Sequence, residues 1–171
     1  ANQAQEIAHS LSADYYLATI RKDLGNYYSK IDKEKAFVYF EEALRYFRKN
    51  GFQRESAFVL SKLGQINAMQ NASEKAKENF SNSLTLSQKV LDDVTRSDTS
   101  FQLAKLYQLG GDRENAIGMA NQSLNLSESL YSDLANANLK RTYFSNIYDR
   151  YELYINLLMQ KHNNSPTENF A

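Results

Sequence analysis

Few side chains in this sequence could do covalent or metal chemistry. Among 171 residues there are two histidines, His9 and His162, and no cysteine. Without cysteine there is no disulfide, no thiolate metal site and no cysteine nucleophile within the chain. The two histidines stand on separate terminal segments, and neither has a paired third ligand, so no metal or cofactor is expected. Asp92-Asp93 and Glu41-Glu42 place carboxylates side by side, as acid–base catalysis can require. Both pairs read as solvated charge at the ends or on the outer face of a repeat's second helix. No glycine-rich phosphate loop is present. The chain itself is therefore expected not to be an enzyme.

Composition narrows the partners. Twenty Lys and Arg balance twenty Asp and Glu. A neutral chain lacks the basic surplus that phosphate backbones demand, which argues against nucleic acid. One proline and six glycines are too few to turn many short strands. No apolar run approaches the roughly 20 residues that cross a bilayer, and ANQAQEIAHS lacks the charged-then-apolar order of a secretory signal. A cytoplasmic protein is expected, and the sequons at Asn71, Asn79, Asn121 and Asn125 read as chance in an Asn- and Ser-rich chain. The absence of an initiator Met reads as an excised piece of a longer protein.

The elements that position these residues announce themselves as a repeat. Ala36, Ala76 and Ala116 recur every 40 residues, as do Phe40, Phe80 and Ala120, and Leu44, Leu84 and Leu124. Ala43, Ser83 and Ser123 precede those leucines. On the preceding stretch, Leu24-Gly25, Leu63-Gly64 and Leu103-Ala104 are in phase, the first segment being one residue short at its turn. The i, i+4, i+7, i+8 spacing from Ala76 to Leu84 is helical. Each repeat is thus a pair of helices. Small residues fall where the two must approach: Gly25, Gly64 and Ala104 on the first helix, and the three in-phase alanines on the second. Asp32, Asn71 and Gly110-Gly111 supply the turns, and Ser73 and Asp112 are expected N-caps.

This pattern resembles the tetratricopeptide repeat, or TPR. Leu24-Gly25, Tyr28, Ala36, Phe40 and Ala43 match that family's motif closely. The second copy carries Asn67 in the first aromatic slot and Ser83 in the second alanine slot. The third carries Tyr107, Gly111-Asp112 and Ala116, with Ala120 in the second aromatic slot. The family's usual period is about 34 residues, so these helices are longer. The resemblance covers residues 13 to 131 and implies an all-α TPR solenoid, an α-α superhelix of three repeats. The expected divisions are 1–12 as the remnant of a preceding repeat's second helix, repeats at 13–51, 52–92 and 93–132, a long capping helix at 133–162, and a linker tail at 163–171.

The last segment carries a second resemblance. Tyr143-Phe144, Tyr151-Glu152-Leu153-Tyr154-Ile155, Leu157-Leu158-Met159 and His162 fill the pattern that joins repeats to the catalytic domain in bacterial TPR–CHAT proteins. CHAT domains are caspase-like, with a His and Cys dyad downstream of the repeats. The resemblance implies a regulatory arm for such a domain, which would follow this chain.

A TPR stack binds through the concave groove lined by its first helices. By repeat position the groove residues are Lys22, Asn26, Ser29 and Lys30, then Ser61, Gln65 and Met69, then Phe101, Lys105, Gln108 and Leu109, with Arg141, Ser145 and Tyr148 on the last helix. Lys22, Lys30, Lys105 and Arg141 would make it mildly basic, suited to an extended acidic peptide. The alternative at each position is an ordinary solvated helix residue. Lys22 and Asn26 also match two positions of the carboxylate clamp of chaperone-binding TPR proteins. Lys62, Asp98 and Gln102 hold the other three, and Asp98 would repel the ligand. The expected function is a non-catalytic scaffold for a peptide or partner domain. A peptide-sensing module of a signalling or transcription regulator is the alternative. An apolar N-terminal face, lacking its preceding helix, could also pair two copies as a homodimer.

Overall fold

The computed structural model describes residues 2–132 and 137–164, with side chains described outside 2–11, 133–146 and 164. The described residues form helices and turns alone. In chain order these are α1 (Asn2–Tyr28), α2 (Lys33–Lys49), α3 (Gln53–Met69), α4 (Ser73–Lys89), α5 (Asp93–Leu109), α6 (Arg113–Ser132) and α7 (Ala137–Asn164). They fall into two compact units, residues 1–90 and 91–171. The all-α class and the helix-pair repeat follow the sequence pattern. One boundary does not. The expected break after residue 12 is absent, because α1 runs unbroken from Asn2 to Tyr28. The reason is local: Ser10-Leu11-Ser12-Ala13 contains no Gly, Pro or Asn that could turn the chain.

The links between helices repeat every 20 residues. Gly51, Asn71, Leu91 and Gly111 all take positive φ, at 75°, 59°, 53° and 77°. At Gly51 the turn is closed by Gly51 N–H to Arg48 O (3.3 Å) and Phe52 N–H to Phe47 O (2.9 Å). That is the paired capping of a Schellman motif, which needs a left-handed residue just past the helix. Asn71 and Gly111 close the same way, through Ala72 N–H to Asn67 O (2.9 Å) and Asp112 N–H to Tyr107 O (3.0 Å). Leu91 is the misfit, since a side chain there crowds the following carbonyl.

Aspartates start three of the helices. Asp32 Oδ1 accepts from Lys35 N–H at 3.0 Å, Asp92 Oδ1 from Thr95 N–H at 3.2 Å, and Asp112 Oδ1 from Asn115 N–H at 3.3 Å. Two expectations change here. Ser73 is the first residue of α4 rather than its cap; Ala72 holds the cap position and makes no side-chain cap bond. Asp92 and Asp93 open α5, a first helix, instead of closing a second one.

Unit 1 is built around ring-against-backbone contacts. Phe40, Phe47, Leu60 and Leu63 are fully buried in one cluster with Ala18, Ala36, Ala43, Val59 and Ile66. A methyl placed on Gly25 would lie 2.6 Å from the Phe40 ring, and one on Gly64 would lie 2.5 Å from Phe80. Glycine is therefore what lets each phenylalanine lie flat on the first helix. Burying each ring is worth about 1.5–3 kcal/mol.

Unit 2 solves the same contact differently. Ala104 and Ala120 replace the Gly–Phe pair, and Leu157 of α7 enters the space beside them and Ala116. Hydroxyls line the adjoining seam. Ser97 Oγ donates to Ser123 O (3.0 Å) and Ser123 Oγ to Ser97 O (2.8 Å), with Ser127 Oγ 2.6 Å from Ser97 Oγ. Each bond satisfies a buried hydroxyl and contributes about 1 kcal/mol. These bonds hold α5 against α6, while α7 is held by Leu157 in the core and by Lys161 Nζ, which reaches Glu114 Oε1 of α6 at 3.2 Å.

Candidate partner-binding face

Within unit 2, Phe101, Lys105 and Gln108 come together as their spacing on one face of α5 requires. They line an open cleft of about 320 Å³ with Asp149, Glu152, Leu153 and Asn156 of α7. The wall is rigid where it meets the core. Arg150 is buried beneath it, with its guanidinium 5.1 Å from the Phe101 ring centre. Its Nε donates to Ser123 Oγ at 3.0 Å, and its Nη2 pairs with Asp98. One arginine thus ties α5, α6 and α7 together and fixes the ring that floors the cleft. Lys105 Nζ lies 5.4 Å from the same ring and is otherwise exposed.

The cleft is not basic. Lys105 shares it with two exposed carboxylates, Asp149 and Glu152. The expected positive character took Arg141, Ser145 and Tyr148 from the last helix and missed the carboxylates that the same helix contributes at Asp149 and Glu152. Tyr148 is 60% exposed. Leu109 is exposed beyond the cleft, at the end of α5. The side chains of Arg141 and Ser145 lie outside the described residues.

Within unit 1 the expected residues divide. Lys30 and Met69 are exposed, and Asn26 and Gln65 are half-buried. Lys22 Nζ sits 5.8 Å and Lys62 Nζ 5.3 Å from the centre of the Phe58 ring, so two cations flank one aromatic face. Ser29 spends its hydroxyl on Asn26 O at 2.7 Å. Ser61 is a correction: it is 3% exposed and packed inside the unit, so it cannot meet a ligand. Of the clamp positions, Asp98 is taken by Arg150.

Shifted ionisations are peripheral. The Lys35 backbone N–H holds the Asp32 carboxyl below its ordinary value, and the Asp32 carboxylate raises Lys35 in return. Burial, with Glu55 as hydrogen-bond acceptor, pushes the Tyr15 phenol up. The bond from Tyr151 to Glu128 does the same for Tyr151. Each of these groups sits at a helix contact or cap, and none lies in the cleft.

Arg150, Asp149, Glu152 and Asn156 are the residues that sequence reading missed. The signal was present in Arg150 itself, a charge set inside an otherwise aromatic stripe from Tyr143 to Leu158. Its partners lie 27 and 52 residues away, where no local pattern reaches.

No family model matches this sequence, and no curated protein matches it. The likeness lies in solved structures. The crystal structure of BtubC (BKLC) from P. vanneervenii aligns with a TM-score of 0.64 at 18% identity. The alignment covers 91% of this chain and 66% of the BtubC chain. The fold is an all-α helical repeat of consecutive packed helix pairs. At such identity it is the architecture that is shared. The MamA protein crystal structure is a weaker likeness, with a TM-score of 0.35 and 14% identity over 91% of this chain and 97% of MamA. Helix-pair packing accounts for the buried positions of the motif. It leaves the α5–α7 cleft unaccounted for, since packing consumes none of its polar groups.

Proposed function

We propose that this chain is a non-catalytic protein-interaction module whose first-helix faces hold a peptide or partner domain. The observation that carries the reading is the α5–α7 cleft, where Phe101 offers a fixed apolar floor and Lys105, Gln108, Asp149, Glu152 and Asn156 offer unspent polar groups. Aromatic floors with a polar rim are how interfaces gain both area and register. The mixed charge suits a segment carrying both signs.

The finer reading is a regulatory arm of a larger bacterial CHAT-domain protein. Its support is the terminal pattern from Tyr143-Phe144 to His162. Tyr148, Tyr151, Ile155, Leu158 and Met159 are exposed on α7 although Leu157 is buried. Such a half-covered helix has apolar surface left for an adjoining domain. The test is to place a photo-crosslinking residue at Asn156, with Glu78 as the control position, in the protein's own cells. The reading expects a single identified protein, or the chain's own downstream domain, to crosslink at Asn156 and not at Glu78. Equal labelling at the two positions contradicts it.

A further inference from the structure

Unit 1 carries a second cleft, of about 300 Å³, between α1 and α2. Its lining is Arg21, Glu42, Arg45, Tyr46 and Lys49, so three cations surround a single carboxylate. Glu42 Oε2 engages Arg21 through Nε at 2.9 Å. That contact orients the guanidinium and leaves its two Nη groups as donors. Arg45 and Lys49 are exposed and stand one helical turn apart on the same side of α2. Tyr46 forms a firm wall, because its ring stacks on Phe52 with centroids 6.0 Å apart.

The internal repeat is the control for this cluster. The equivalent positions of the second pair are Leu60, Asn82, Thr85, Leu86 and Lys89, and those of the third are Ser100, Gln122, Asn125, Leu126 and Ser129. The same backbone positions elsewhere carry one cation or none. Helix packing does not require the charge, and three like charges around one cleft repel each other. They have a physical purpose if something anionic is held there.

We propose that the Arg21–Arg45–Lys49 cleft binds a phosphomonoester group, carried on a side chain of the protein partner. A phosphomonoester brings a charge of about −1.5 to −2 at neutral pH, which the excess of cations over Glu42 neutralises. Two arginine forks match its oxygens better than they match a lone carboxylate. The assignment of the source to a protein rests on the interaction-module reading above; the anion site itself does not.

The experiment is a titration of the chain with inorganic phosphate, followed by the side-chain Nε–H signal of Arg21 and the backbone amides of residues 42–49 in NMR spectra. The probe series is inorganic phosphate, O-phosphoserine and succinate, at constant ionic strength. Saturable shifts confined to these residues are expected with both phosphates, and at least tenfold weaker binding of succinate. The paired variant Arg45→Ala with Lys49→Ala should weaken phosphate binding at least tenfold. Both residues are exposed, so the fold is kept, and an unchanged dispersion of the remaining amides checks this. Shifts that do not saturate, shifts spread over every surface cation, equal binding of succinate, or a variant that binds phosphate as well as the parent would each overturn the proposal. Because no partner is needed, a failed titration leaves the module reading standing, and a failed partner search leaves this site standing.

Discussion

A glycine and a phenylalanine decide how closely each pair of helices in unit 1 can pack. With a methyl 2.5 Å from Phe80, Gly64→Ala forces the ring or the helix to move. Overpacking of this kind costs about 1–3 kcal/mol. Against a Phe80→Ala background the methyl meets no ring, so the same change should cost under about 1 kcal/mol, and a double-mutant cycle by chemical denaturation reads the coupling. Additive costs would refute the contact. Leu91 offers the opposite sign. It is 79% exposed and held at a φ of 53°. Leu91→Gly should therefore stabilise the chain by about 1 kcal/mol, relief of left-handed strain outweighing the added freedom of the unfolded state. A raised thermal midpoint checks it. The close approaches at Gly25 and Gly64 were legible in the sequence, because a small residue in phase with an aromatic has one geometric meaning. Leu91 was not, because Leu ordinarily avoids that backbone region; the 20-residue spacing from Asn71 and to Gly111 was the clue. Asp32 gives the pH dependence. Its carboxyl is held low in the folded chain, so the cap is complete above the ordinary carboxylate value and is lost as pH falls through the lowered one. The Lys35 amide signal should titrate below the ordinary Asp range; a midpoint at or above that range would contradict it.

At the scale of elements, the account depends on how α7 is attached. Leu157 replaces a missing ring in the core of unit 2, and Arg150 reaches both neighbouring helices. A buried arginine contributes mainly through the groups it satisfies, and removing it leaves Ser123 without its donor. Arg150→Ala should cost about 2–3 kcal/mol, and amide exchange should accelerate in α7 well before it does in α3 or α4. Uniform acceleration throughout the chain would show that Arg150 is not a local tie. A long terminal helix was legible from the uninterrupted stripe through Tyr151, Tyr154, Ile155 and Leu158. Which of its side chains face inward was not. Tyr154 and Leu157 pack on the core while Ile155 and Leu158 stay half open to solvent, and that division depends on α6, where small residues leave room for only one stripe. The α5 face read as basic for a related reason: repeat position reached Arg141, Ser145 and Tyr148 on α7 and did not reach Asp149 and Glu152.

For the molecule as a whole, the motif positions are spent on packing and the ends of the helices on capping. What remains unspent is where we propose that the chain meets other molecules. In unit 2 that remainder is the cleft over Phe101, and in unit 1 it is the cation cluster beside Glu42. Neither was legible as a place, although Phe101, Lys105 and Gln108 were legible as residues. A helix face can be read from spacing, but the wall opposite cannot. The central claim is that the chain acts by holding a protein partner on the α5–α7 cleft. The direct test is a calorimetric titration of the purified crosslinked partner against the parent chain and against the Lys105→Glu, Glu152→Lys double variant. These residues are exposed and the exchange keeps the net charge, so the fold and long-range steering are preserved. An affinity at least tenfold lower in the variant is the predicted result; an unchanged affinity would contradict the account.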